Sequence, residues 1–270
     1  TPISEQAILG LCNGLALCGQ KPIAEIMFGD FICLAFDQIV NVASKAPTMF
    51  GNQLDYNLLV RCPVGGNRAY GPTHSQTLQK HFIGVPNLEL YELSPFHDNT
   101  EVLKRIFTAA KPTILFEDKV LYTRDFFSDT KVNTIFSHAF VDDLHNYTSV
   151  TVNYPIAVDA LIICGGGMFH DTLSAANNLF IEHELECEII VSSKLYPFEV
   201  QPIAEKIARA KRVFVVEEST AGGTWGVQVA EDIYKLLWER LKGRIINIRS
   251  ENSIIPSSKH LENQVLVQTQ

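Results

Sequence analysis

No stretch of this 270-residue chain approaches the ~20 consecutive apolar residues of a membrane-spanning helix, and nothing in it resembles a signal peptide. Positive charge is scarce. Lys and Arg number 22 against 30 Asp and Glu, a formal net charge of −8, which argues against nucleic acid or an anionic membrane as the main partner. C-x-x-C spacing is also missing. Cys12, Cys18, Cys33, Cys62, Cys164 and Cys187 are scattered in apolar surroundings, and they read as buried free thiols in a reducing compartment with no structural metal. There is no G-x-x-x-x-G-K-[ST] phosphate loop, no H-E-x-x-H helix and no G-x-S-x-G elbow, so those enzyme classes drop out. Gly165-Gly166-Gly167 lacks G-x-G-x-x-G spacing, because Met168 and His170 follow, and it reads as a tight turn.

What is present is a compact chain, 46% hydrophobic and 19% charged, with room for two domains; a cytoplasmic location is expected. Strand and helix signals alternate. Helices are expected over 4–18, about 98–110, 168–183, 200–209 and 223–241, with a further helical spacing from Phe31 to Lys45. Short apolar runs at 21–26, 58–61, 88–91, 113–116, 161–164, 188–191, 213–216 and 244–248 read as strands. Strands joined by helix-length crossovers predict an α/β fold of two parallel-sheet, three-layer domains. Between Tyr122 and Pro155 the periodicity fades, so the expected division is a first domain at 1–122, a connection at 123–158 and a second domain at 159–270.

Three segments carry candidate chemistry. Pro2 and Ser4 open a helix with Glu5 in its first turn, where a carboxylate complements the helix N-terminus. Glu25-Ile26-Met27-Phe28-Gly29-Asp30-Phe31 is a strand-to-helix junction whose aromatics serve either as core or as a ring platform. The segment from Arg61 to Gln76 carries a double glycine, Arg68 and then His74-Ser75-Gln76 beyond a strand end, where α/β folds place their sites. His74 there is either structural or part of a site. Arg61 and Arg68 are candidates for ordering the loop, and Glu217-Glu218 for capping the helix after Gly222-Gly223.

Ile3-Ser4-Glu5, the Glu25–Phe31 junction, Phe36-Asp37-Gln38, the Arg61–Gln76 loop and Val216-Glu217-Glu218 with Gly222-Gly223 occur in one order. Together they resemble the beta subunit of thiamine-diphosphate-dependent 2-oxo acid dehydrogenases (the pyruvate, branched-chain and acetoin decarboxylating components), within the transketolase superfamily. The resemblance covers about residues 1–122 and 159–266. It implies a pyrimidine-binding domain, here lacking its first strand–helix–strand part, followed by a transketolase C-terminal domain.

The resemblance also implies a cofactor, thiamine diphosphate, shared with a partner chain that binds its diphosphate and magnesium through a Gly-Asp-Gly…Asn motif. Phe28-Gly29-Asp30-Phe31 lacks the second glycine, so this chain is expected to hold no metal. Glu5 matches the carboxylate on the pyrimidine ring nitrogen, Phe31 the stacking aromatic, Ile3 and Met27 the pocket lining, and His74 the histidine that assists 2-oxo acid binding and acyl transfer. The implied partners are an alpha subunit or portion, a second beta chain in a heterotetramer, a lipoyl acyltransferase and a 2-oxo acid. No monovalent cation is predicted beside Ala109-Ala110-Lys111-Pro112. Two alternatives remain open: a superfamily enzyme acting on sugar phosphates, and a non-catalytic assembly subunit.

Overall fold

The computed structural model describes residues 1–51, 54–96, 99–155 and 157–269. Residue 98, where a helix is expected to begin, and the terminal residue 270 lie outside that set. In chain order the first half comprises α1 (Glu5–Leu17), β1 (Ile23–Glu25), a 3₁₀ helix (Gly29–Ala35), a π-helical turn (Gln38–Ala43), α2 (Ala46–Met49), β2 (Leu58–Val64), β3 (Glu89–Glu92), α3 (Asn99–Ala109) and β4 (Pro112–Asp118). The second half comprises β5 (Phe136–Phe140), β6 (Tyr147–Val152), β7 (Ala160–Gly165), α4 (Phe169–His183), β8 (Cys187–Ser192), β9 (Lys194–Tyr196), α5 (Ala204–Arg209), β10 (Arg212–Glu217), α6 (Trp225–Leu237), β11 (Ile245–Arg249) and α7 (Lys259–Val265).

Two sheets result, in the orders β1-β2-β4-β3-β9 and β11-β10-β7-β8-β6-β5. The central strands are parallel and almost wholly buried. β4 is buried at every position and pairs Thr113–Asp118 in register with Leu59–Val64 of β2, which is why its sequence is a run and not an alternation. The two-domain α/β architecture is as the alternation of elements predicts, with a correction at the edges, because both sheets are mixed. β5 and β6 arise from the aperiodic stretch 123–158 and add antiparallel strands to the second sheet. β9, from the second half of the chain, pairs antiparallel with β3 and completes the first sheet. β5 and β9 lie at sheet edges and β6 between β8 and β5, and none has the continuous apolar run by which the buried parallel strands are read. α7 was likewise not anticipated.

The helical spacing from Phe31 to Lys45 is not an α-helix. Gly29, Ile32 and Ala35 are buried at a spacing of three, the period of a 3₁₀ helix, and Ile39 and Ala43 follow at four. The cause is a tertiary contact: a Cβ on Gly29 would lie 2.7 Å from both Pro63 O and Val64 Cγ1, so the chain must pass tightly over the end of β2. Leu34, expected on the buried face, is 61% exposed. The core of this half joins Leu9, Ile26, Ile32, Val60, Ile114 and Phe116, and it runs without a break into Ile163, Val215 and Trp225 of the other half. A separate cluster around Phe96, Phe136, Phe169 and Ile189 underlies the second sheet. Trp225 Nε1–H donates to Leu195 O at 3.0 Å, fastening α6 beside β9.

Candidate functional site

The junction after β1 and the loop after β2 meet at the carboxyl ends of their strands. Phe31 N–H donates to Phe28 O at 3.0 Å, and this turn sets the two rings edge to face with centroids 6.3 Å apart. Loop 65–77 brings His74 edge-on to both, 4.5 Å from Phe28 and 5.4 Å from Phe31. Tyr70 reaches Phe28 at 6.1 Å. His74 Nδ1 lies 2.9 Å from Thr73 Oγ1. Beneath the ring cluster, Gln76 Nε2–H donates to Asp30 Oδ1 at 2.6 Å. Asp30 Oδ2 is buried with no partner among the described residues. A buried oxygen left without a donor costs roughly 1–3 kcal/mol, a deficit that a bound group would relieve.

The structure therefore brings Phe31 and His74 together. Glu5 stands half-buried in the first turn of α1, behind Ser4, whose Oγ accepts from Ala7 N–H at 3.4 Å. α1 packs on the 3₁₀ and π-helical segments, with Asn13 Nδ2–H donating to Gln38 O at 3.0 Å. The Glu5 carboxylate itself makes no hydrogen bond or ion pair with any described residue. Ile3 and Met27 are not packed into the cluster: they are 99% and 75% exposed. Leu11, Leu34 and Tyr70 are exposed in the same half, so the face of α1 and of the 27–36 segment is apolar and open.

Arg61 and Arg68 both order structure. Arg61 donates through Nε to Glu117 at 2.7 Å and through Nη1 to Glu25 at 2.9 Å, and Tyr122 Oη–H donates to the same Glu117 carboxylate. Arg68 Nη2–H donates to Lys119 O at 2.7 Å.

A second group of functional-looking residues lies in the seam between the halves. Gly165-Gly166-Gly167 is the tight turn expected, and its packing accounts for all three glycines. A Cβ at each would lie 2.6 Å from Glu92 Oε2, 1.8 Å from Leu93 O and 2.4 Å from Asp118 Oδ2, respectively. Gly167 N–H donates to Glu92 Oε1 at 2.7 Å. Glu92, Asp118 and Glu218 surround a cavity of about 30 Å³, enough for one water, with Thr77, Gln79 and Lys80 in its wall. Burial pushes the Glu92 carboxyl up to about 7, with the neighbouring Asp118 charge adding to it. Burial also raises Asp118 and Glu218, the latter pushed further by the Asp118 charge. Lys119 Nζ is buried without a direct partner among the described residues. Burial holds its ammonium down, against Asp118, Glu218 and Asp30, which favour the charge.

Glu217 and Glu218 divide between two tasks. Glu217 faces the start of α6, where a Cβ on Gly226 would lie 2.9 Å from its Oε1. Glu218 turns instead to the His74 loop and accepts from Gly66 N–H at 2.7 Å. Phe28, Asp30 and Tyr70 were within the segments singled out by sequence but given no role. Glu92, Asp118 and Glu262 were not identified at all. The available signal was position, since Glu92 and Asp118 end parallel strands.

Two family models match the chain: "Transketolase, pyrimidine binding domain" over residues 1–124 and "Transketolase, C-terminal domain" over 155–270. Among curated proteins, the acetoin:2,6-dichlorophenolindophenol oxidoreductase subunit beta of Cupriavidus necator is 29% identical over 263 residues, 97% of this chain and 74% of that one. A chloroplastic pyruvate dehydrogenase E1 component subunit beta-3 of Oryza sativa is 27% identical, covering 99% of this chain and 66% of the relative. The mitochondrial 2-oxoisovalerate dehydrogenase subunit beta of Dictyostelium discoideum is 28% identical, covering 95% and 67%. This chain thus spans about two thirds to three quarters of those relatives. Among solved structures, one titled "Split gene transketolase, inactive beta4 tetramer" shares the fold with a TM-score of 0.67 at 17% identity, over 97% of this chain and 78% of that one.

Proposed function

This chain belongs to the transketolase superfamily, as a pyrimidine-binding domain followed by a C-terminal domain, and from that premise we propose that it is the beta part of a thiamine-diphosphate-dependent 2-oxo acid dehydrogenase. In this reading it acts with an alpha part to decarboxylate a 2-oxo acid and pass the acyl group to a lipoyl carrier. The observation that carries the reading is His74 held edge-on to Phe28 and Phe31, in a half whose Glu5 carboxylate has no partner among the described residues.

These residues fit the aminopyrimidine half of the cofactor. Phe31 is half-buried, so part of its ring is available for stacking, and Glu5, which has no partner among the described residues, could bond a ring nitrogen. When bound, thiamine diphosphate supplies a thiazolium carbon that becomes a nucleophile once its proton passes to the cofactor's own amino group. Glu5 would hold the hydrogen bond to the ring nitrogen that favours the proton-accepting tautomer. His74, positioned by its loop, would orient the 2-oxo acid and assist acyl transfer. Ile3 and Met27 would line the pocket once another chain covers them, which excludes water from the charged groups. Diphosphate and magnesium are assigned to the alpha part, and a second copy of this chain completes the proposed assembly.

The test is reconstitution. This chain, an alpha partner carrying Gly-Asp-Gly…Asn, thiamine diphosphate and magnesium are combined and offered pyruvate, branched 2-oxo acids and sugar phosphates. Decarboxylation of a 2-oxo acid, dependent on both chains, is expected. Turnover of sugar phosphates instead, or full activity without the partner, would overturn the reading.

A further inference from the structure

Loop 65–77 carries His74 yet has little to hold it from within. Its internal backbone hydrogen bonds, Gly65 N–H to Gln76 O and His74 N–H to Gly71 O, are both long at 3.4 Å. Four of its residues have positive φ: Gly65 at 92°, Asn67 at 63°, Ala69 at 56° and Gly71 at 77°. For Ala69 that conformation costs on the order of 1–2 kcal/mol, so something outside the loop must enforce it.

The enforcing groups are in the second domain. Glu218 Oε1 accepts from Gly66 N–H at 2.7 Å, and its Oε2 from Asn67 Nδ2–H at 3.4 Å. Glu262, on α7 and 0% exposed, accepts from the N–H of the strained Ala69 through both oxygens, at 3.2 and 3.1 Å. Lys259 Nζ–H donates to Asn67 O at 3.1 Å and pairs with Glu262 at 3.2 Å. At the far end Thr77 Oγ1–H donates to Glu218 O, and Lys80 Nζ–H donates to Thr220 Oγ1 at 2.7 Å. Side-chain volume reinforces the bonds: a Cβ on Gly66 would lie 2.4 Å from Leu266 Cδ1, and one on Gly71 2.3 Å from Ser257 Oγ. α7 has seven residues, too few to be stable alone, so it persists only while docked in this position.

We propose that Glu218 and Glu262 are positioning residues for the His74 loop, so that the seating of the second domain on the first sets the geometry of the site. Two buried carboxyl groups accepting backbone N–H groups fix a loop that has no secondary structure of its own, and losing either would leave a buried donor unpaired. The charges around them are arranged for this. Lys259 balances Glu262, and Lys119 stands among Asp118, Glu218 and the site-side Asp30 without touching any of them. A movement of residues 250–266 would then be felt at His74, although none of those residues belongs to the ring cluster.

The experiment has two readouts, and the activity arm alone rests on the proposed dehydrogenase function. In hydrogen–deuterium exchange on the full chain, Glu262→Ala is expected to accelerate exchange across residues 66–70 by ~10-fold or more while β10 is unchanged. Glu262→Gln, which keeps an acceptor, should return the loop to within about three-fold of the parent. Glu205→Ala, on the exposed face of the same domain, should change neither. Should Glu262→Ala give no folded chain, Lys259→Met removes the contact to Asn67 O and must accelerate the same peptide. Unchanged loop exchange in the variant, or acceleration spread equally over β10, overturns the proposal. In the reconstituted enzyme Glu262→Ala should lower kcat by ~10-fold while the half-saturating thiamine diphosphate concentration stays within about two-fold. If the parent shows no turnover at all, the dehydrogenase reading falls, and the exchange result still decides the loop.

Discussion

Glu92→Gln should stabilise the chain at pH 8 and not at pH 5. Glu92 ends β3 with its carboxyl in the seam, against Gly165 and Gly167, beyond the reach of bulk water. Burial raises its pKa from 4.5 to about 7, opposed by the bond from Gly167 N–H and assisted by Asp118. Between pH 4.5 and 7 the folded chain therefore holds a proton that the unfolded chain has released. Stability falls as pH rises through that window and levels off above it. A shift of this size corresponds to about 3 kcal/mol, as an order of magnitude. Glutamine has the same shape, keeps an oxygen for Gly167 N–H and cannot ionise, so the variant escapes the loss. Removing the Glu92 charge also relieves Asp118, which moves the difference in the same direction. Urea denaturation of parent and variant at pH 5, 6, 7 and 8 should show a difference that starts near zero or slightly unfavourable and grows toward about 3 kcal/mol. A difference that stays flat across those pH values would mean that Glu92 titrates as in water and that the seam is wet.

At the site, Glu5→Gln should leave the denaturation midpoint within error and reduce turnover of the reconstituted enzyme by ~100-fold or more, because the proposed hydrogen bond to the pyrimidine nitrogen would be weakened; near-normal turnover would end the assignment. Arg61→Ala should cost about 2 kcal/mol in chemical denaturation, since Glu117, 2% exposed, loses its main partner. Pairing it with Glu117→Met should recover most of that loss, and no recovery would show that packing and not charge is responsible. Gly166→Ala should abolish soluble expression, because a Cβ 1.8 Å from Leu93 O can be accommodated only by parting the domains. A soluble variant with unaltered melting would refute the seam's rigidity.

The buried parallel strands were legible because a strand covered on both faces must be an apolar run, as in Leu161-Ile162-Ile163-Cys164 and Thr113-Ile114-Leu115-Phe116. The helices α1, α4 and α6 were legible for the complementary reason, a periodic stripe with recognisable starts. The antiparallel strands were not. Lys194-Leu195-Tyr196 is three residues long, and it forms a strand only because β3 is already there to pair with it. The 3₁₀ course after Gly29 was illegible because its cause, the end of β2, is more than thirty residues away in sequence. At the site, residues on single loops were found and residues brought by the second domain were not. His74 and Phe31 belong to local motifs, whereas Glu262 acts on Ala69 across 193 positions. Glu218 was noticed and given its neighbour's task. Local sequence shows a pair of glutamates before a helix, and only the tertiary fold directs one of them across the seam.

The two sides of the His74 loop differ in how fully the chain satisfies them. Toward the second domain the polar groups at Gly66, Asn67, Ala69 and Thr77 all find partners, and the strained conformation is fixed there. On the other side Asp30 Oδ2 has no donor among the described residues; elsewhere in the same half Glu5 has no partner among them, and Ile3, Met27 and Leu34 are exposed. Buried polar groups are ordinarily paired, and large apolar groups are ordinarily covered. The loop's bonds to the second domain obey the first rule, whereas Asp30 and the open apolar residues of the first half depart from both. A polar, ring-shaped ligand would answer Asp30 and Glu5, and an apolar protein surface would answer Ile3, Met27 and Leu34. Neither alone would meet both demands, which supports the proposal of a cofactor shared between two chains.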